Sequence, residues 1–198
     1  MFWSAILTLL SRCLQCADRA LIESVLHKGT QIIVKTLCCS GHSCTWKSQP
    51  DAGQHALGNI RIVTGTILSG ATFSRVSQIC KFSKIACLGK TAFYALQKSL
   101  VMPAIQRRWD KERNQLVEEA AQRDGVHLAG DGRCDTPGHN AKYSSYSFLD
   151  QKTNKIIDFR ITQVSETTSS NAMEKYGFVK VLDKLKSSGL KIKQITLY

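Results

Sequence analysis

An apolar run that ends in an acid, VHLAGD, opens the most patterned part of the chain. KYSSYSFLD and KIIDFRITQV follow it, and together they predict three successive strands between 126 and 163. SSNAMEK then starts a helix over about 171–187, with Ser170 or Asn171 as cap and Glu174 favouring the first turn, and KIKQITLY reads as a fourth strand. A right-handed crossover through that helix returns the fourth strand parallel to the first. Asp131 ends the first strand, while Asp150 and Asp158 are read as solvent-facing acids at strand ends.

Upstream, residues 51–122 read as helical, broken at Gly58, Gly70 and Gly89 and restarted at Pro103. ATFSRVSQICKF, SKIACLG and KTAFYALQKSL have a helix, turn, helix rhythm, which would set Lys90, Tyr94, Gln97 and Lys98 on or near an exposed face. The following charged helix repeats Ile105, Trp109, Leu116 and Ala120 at packing positions. It also carries Arg107, Arg108, Lys111 and Arg113, which either track phosphates or form a solvated face. Phe2 to Leu10 is expected to form a short helix packed on the first domain. It is too short to span a bilayer and lacks the basic leader of a secretory signal. The whole is an α+β protein in three parts: residues 1–50, 51–124 and 125–198.

Composition narrows the partners. Hydrophobic residues make up 43% and charged ones 21% of 198, which is ordinary for a folded chain. The excess of 27 Lys and Arg over 15 Asp and Glu gives a net charge of +12, which either points to a polyanionic partner such as DNA or simply keeps a small protein in solution, and no segment is long and apolar enough to suggest a membrane partner.

Five of the eight cysteines fall in the first quarter: Cys13, Cys16, Cys38, Cys39 and Cys44. Cys13-x2-Cys16 and Cys39-x2-His42 are separated by 22 residues that include the strand-like TQIIVKTL. Two such knuckles at the ends of a hairpin supply four ligands to a tetrahedral Zn²⁺, a zinc-ribbon arrangement, with Cys38 or Cys44 as alternatives to Cys39 or His42. Buried thiols without metal are the competing reading.

These strings carry a resemblance: Cys39-Ser-Gly-His42, Trp46-Lys-Ser-Gln-Pro50, Gly58-Asn59-Ile60, Pro103-Ala-Ile105 with Trp109, Gly130-Asp131-Gly132-Arg133 through Tyr143, and Asn171 to Lys175. From about Cys13 onward the chain resembles transposon-derived, transposase-like proteins related to the zinc-ribbon-bearing insertion-sequence transposases. The resemblance implies a zinc ribbon, a helical DNA-binding segment and an RNase H-like domain with an Asp, Asp, Glu triad for Mg²⁺. Its first acid falls on Asp131, with Asp135 as a supporting or turn residue, and His139 could reach phosphate. In that family the second acid follows the fourth strand, where this sequence has Thr196-Leu197-Tyr198. The expectation is therefore a truncated, nuclear, zinc- and DNA-binding remnant without strand-cutting activity. It would self-associate, pair with a full-length transposase relative, or act only as an interaction module.

Overall fold

The computed structural model describes residues 3–137 and 140–197, with side chains from residue 5. The chain divides into two compact units, Met1–Ile105 and Gln106–Tyr198.

The first unit begins with α1 (Trp3–Leu10), followed by β1 (Ala20–Lys28), β2 (Gln31–Cys38) and β3 (Ser43–Lys47) in an antiparallel sheet of order β1-β2-β3. Ile6 and Leu10 of α1 are buried with Val34 of β2 and pack against Ile32 and Trp46. This is the packing expected of the first apolar run. The β1–β2 turn passes through Gly29 at φ +65°, where a Cβ would lie 2.6 Å from Asn59 Oδ1. That Asn59 oxygen accepts the Thr30 amide at 2.8 Å, and its nitrogen donates to the Lys28 carbonyl at 3.0 Å. One buried amide therefore fixes the turn from the start of the helical segment.

The helical segment itself opens on a two-strand hairpin, β4 (Asp51–Ala52) and β5 (His55–Ala56), before α2 (Leu57–Leu68), α3 (Phe73–Phe82) and α4 (Lys90–Leu96). So the continuous helical reading from residue 51 fails over its first six residues, where Gly53 takes φ +61° and turns the chain. Val63, Leu88, Phe93, Leu96 and Val101 form the core of this segment. A π turn (Gln97–Val101) joins α4 to α5 (Met102–Ala121). Pro103 has no N–H for the carbonyl four residues back, and a widened turn is a standard way to absorb that loss.

The second unit carries the predicted β-β-β-α-β order: β6 (Val126–Cys134), β7 (Tyr143–Asp150), β8 (Lys155–Gln163), α6 (Ala172–Ser187) and β9 (Ile192–Leu197). The sheet order is β8-β7-β6-β9, with β9 parallel to β6 and the other pairs antiparallel. Val126, Leu128, Tyr146, Phe148 and Ile157 meet Val181 and Leu185 of α6 and Leu116, Val117 and Ala120 of α5 in one core.

Two buried ion pairs correct the reading of Asp150 and Asp158 as solvent-facing. Asp150 is 2% exposed and accepts from Arg123 Nη1 at 2.7 Å. Asp158 is 1% exposed and is held by Arg113 Nε at 2.8 Å and Lys184 Nζ at 2.9 Å. A buried carboxylate needs such partners. Arg113 is accordingly neither a phosphate tracker nor part of a solvated face.

Candidate metal centre and surrounding surfaces

Cys13 and Cys16 lie on the loop before β1, and Cys38 and His42 span the turn after β2. Ala20 pairs with Cys38, so the open end of one hairpin brings both knuckles together. The Cys38–His42 turn closes through the Cys38 amide on the His42 carbonyl at 3.0 Å, with Gly41 at φ +82°. Its mate closes through the Ala17 amide on the Cys13 carbonyl, also at 3.0 Å.

The ligand atoms of Cys13, Cys16, Cys38 and His42 all lie within 4.8 Å of one another, and this cluster can hold a metal ion. Tetrahedral zinc, with Zn–S near 2.3 Å and Zn–N near 2.0–2.1 Å, requires S···S of about 3.8 Å and S···N of about 3.5 Å. Cys16 Sγ lies 3.8 Å from Cys38 Sγ, Cys38 Sγ lies 3.5 Å from His42 Nδ1, and Cys13 Sγ lies 3.9 Å from the same nitrogen. The Cys3His donor set is thus compatible with a structural zinc site. Backbone amides support the sulfurs: Gln15 N–H donates to Cys13 at 3.4 Å and His42 N–H to Cys38 at 3.3 Å. Such outer hydrogen bonds orient thiolate ligands.

Electrostatics divides the two cysteines of the first knuckle. The amides of Cys16 and Gln15 outweigh burial at Cys13 and pull its thiol down to about 6. At Cys16 the Asp18 amide also pulls down, but burial and the neighbouring Cys13 and Cys38 sulfurs together push it up to about 11.

Cys39 is the correction at this site. It is exposed, and its thiol donates to the Arg19 carbonyl at 3.7 Å. Consecutive residues at a strand end face opposite ways, so only one of Cys38 and Cys39 can face the other knuckle. Cys38, the last residue of β2, is that one. Cys44 sits within β3 opposite Thr36 and outside the cluster.

Asp131 lies in β6 opposite Ser147. Val126, Leu128 and Gly130 are buried while His127 and Asp131 are exposed, so Asp131 projects from the sheet face turned away from α6. There it lines a groove of about 390 Å³ with Ala129, Ser147, Leu149 and Ile156. Asp135 closes the β6–β7 connection instead, accepting the Lys142 amide at 3.1 Å. Among the described residues the Cys13, Cys16, Cys38, His42 cluster is the one group of three or more possible metal ligands, and it includes neither Asp131 nor Asp135.

Of the residues read as nucleic-acid contacts, Lys90 and Tyr94 share a groove with Thr72, Ser74, Ser77 and Gln78, between the start of α3 and α4. Lys98 is exposed and Gln97 half-buried on the π turn, outside that groove. In the second unit Arg107 and Arg108 are exposed, and Arg108 pairs with Glu112 at 3.9 Å. His139 lies outside the described residues. No helix of the described residues is long and apolar enough to cross a membrane.

Comparison with models of known protein families, with curated proteins and with solved structures returns no match.

Proposed function

We infer that the protein is a zinc-organised, nuclear DNA-binding protein of transposase ancestry, whose second unit is an RNase H-like sheet carrying Asp131. The carrying observation is the Cys13, Cys16, Cys38, His42 cluster at the open end of a β-hairpin, in a chain of net charge +12. A metal closes that end, and Zn²⁺ is the ion that three thiolates and an imidazole favour. Its binding free energy is folding free energy for the module, about 10–16 kcal/mol in small zinc domains.

The β-β-β-α-β order with a parallel fourth strand and an acid exposed on the first strand supports the RNase H-like reading. Two-metal strand cleavage takes several carboxylates around two ions, and among the described residues Asp131 stands in no group of three such ligands. DNA would meet the first unit at Lys90 and Tyr94, a cation and an aromatic ring in one groove.

The test is fluorescence anisotropy of the zinc-loaded chain with duplex DNA from about 50 to 200 mM salt, where several phosphate contacts cost about 10³-fold or more in affinity. A linear fall of log affinity with log salt supports the reading. No binding at the lowest salt, or binding indifferent to salt, rejects it and leaves the chain as an interaction module.

A further inference from the structure

Cys80 and Cys87 form a second thiol pair in the first unit, outside the candidate metal cluster. Cys80 lies in the last turn of α3, which ends in a left-handed reversal: Lys84 takes φ +53°, and the Ile85 amide returns to the Cys80 carbonyl at 2.8 Å. That bond folds the chain back onto the residue that carries the first thiol. Cys87 follows two residues later, and its thiol is hydrogen-bonded to that of Cys80. Leu88, buried with Phe93 and Val63, anchors the far side of the turn. A pair already in contact across a tight turn closes to a disulfide with little movement of the backbone.

Burial gives the two sulfurs different roles. Cys80 is 8% exposed, whereas Cys87 is half-buried and lines a cavity of about 360 Å³ with Gly29, Asn59 and Ala92. Residues 81–86 between them are all exposed. A small oxidant therefore reaches Cys87 first and Cys80 only through it. Burial, and after it the Cys80 sulfur, push the Cys87 thiol above its ordinary value, so the pair rests as a protonated dithiol at neutral pH.

We propose that Cys80 and Cys87 are a reversible redox pair, which a small-molecule disulfide such as oxidised glutathione converts to an intramolecular disulfide that staples the end of α3 to the approach of α4. Cys87 attacks the small disulfide, forms a mixed disulfide with it and releases one small thiol. Cys80 then attacks the Cys87 sulfur and releases the second. The protein loses two hydrogens with their two electrons, and the small disulfide gains both as two thiols. Reversible pairs of this kind are the form that disulfides take in reducing compartments. The staple belongs to the first unit alone and does not depend on the DNA-binding reading.

The test is peptide mapping of the zinc-loaded full chain after incubation with excess oxidised glutathione and alkylation of the remaining thiols. Trypsin cuts after Arg75, Lys81, Lys84 and Lys90, so residues 76–81 and 85–90 separate unless a Cys80–Cys87 disulfide joins them. Wild type is expected to give the joined peptide, which reduced glutathione splits again. Cys80→Ser stops at the mixed disulfide, with glutathione retained on Cys87. In Cys87→Ser the buried Cys80 takes up glutathione at least about tenfold more slowly than Cys87 does in Cys80→Ser. Circular dichroism of each variant reports that the helices are intact, and the wild-type map decides the matter if a variant loses them. Wild type that retains glutathione on Cys87, that keeps both thiols free, or that joins either one to a different cysteine overturns the proposal, as does equal uptake in the two variants.

Discussion

Cys38 Sγ lies 3.5 Å from His42 Nδ1 and also accepts the His42 amide at 3.3 Å, so one sulfur organises the whole second knuckle. Its neighbour Cys39 is turned to the Arg19 carbonyl. Cys38→Ser is expected to weaken zinc binding by more than about 100-fold, beyond the 10–100-fold lost with an outer-shell partner. Cys39→Ser leaves it within about twofold. Competition with a chromophoric chelator measures both, and equal losses would return Cys39 to the ligand set.

Cys13 and Cys16 differ in the metal-free protein. A thiol held down to about 6 is mostly thiolate at neutral pH, whereas one pushed up to about 11 stays protonated. Iodoacetamide is expected to label Cys13 before Cys16 at pH 7, with the Cys13 rate falling as pH drops through about 6. Zinc protects both. Peptide mapping by mass spectrometry reads the order, and faster labelling of Cys16 contradicts this electrostatic assignment.

The Arg123–Asp150 pair gives the second unit an acid limit. Burial pushes the Asp150 carboxyl up, but Arg123, the Thr153 hydroxyl and the Lys152 amide outweigh it and hold it below its ordinary value. With the folded value below the unfolded one, the stabilisation is present above about pH 4 and is lost as pH falls through the folded value. Urea midpoints taken between neutral and acid pH should therefore decline at the acid end, and Asp150→Asn flattens that part of the decline. Arg123→Met, which leaves a buried carboxylate alone, costs about 3–5 kcal/mol at pH 7.

Gly130 has no room for a side chain. A Cβ there would meet the Tyr146 hydroxyl and come within 2.9 Å of the Phe148 ring. Both rings belong to the core under α6 and stack edge-on at 5.3 Å. Gly130→Ala is expected to cost about 1–3 kcal/mol by overpacking. Urea denaturation followed by tyrosine fluorescence measures it, and a loss below the noise would mean that the Tyr146 ring moves aside freely.

The β-β-β-α-β order was legible because each strand carries its own apolar run and a short polar connection. The candidate metal site was legible to the level of two knuckles, since ligand spacing is local. Choosing Cys38 over Cys39 needed the direction in which β2 ends, which spacing does not encode. The roles of Asp150 and Asp158 were hidden for a different reason. Their partners Arg123 and Arg113 stand far away in sequence, and an acid at a strand end looks alike whether it meets water or a guanidinium. The β4–β5 hairpin leaves no signal in the sequence, because two-residue strands have no periodicity.

The Asn59 hydrogen bonds give the β1–β2 hairpin a mechanical character. With a metal bound, the Cys3His cluster would grip one end of the ladder, while Asn59 grips the other, at Lys28 and Thr30. A strip clamped at both ends unravels from whichever clamp opens first, and chelation opens only one. Metal loss should therefore fray the hairpin from Ala20 and Cys38 inward while the Thr30 amide stays shielded, so that the partly opened state keeps a tethered root from which re-zipping can start.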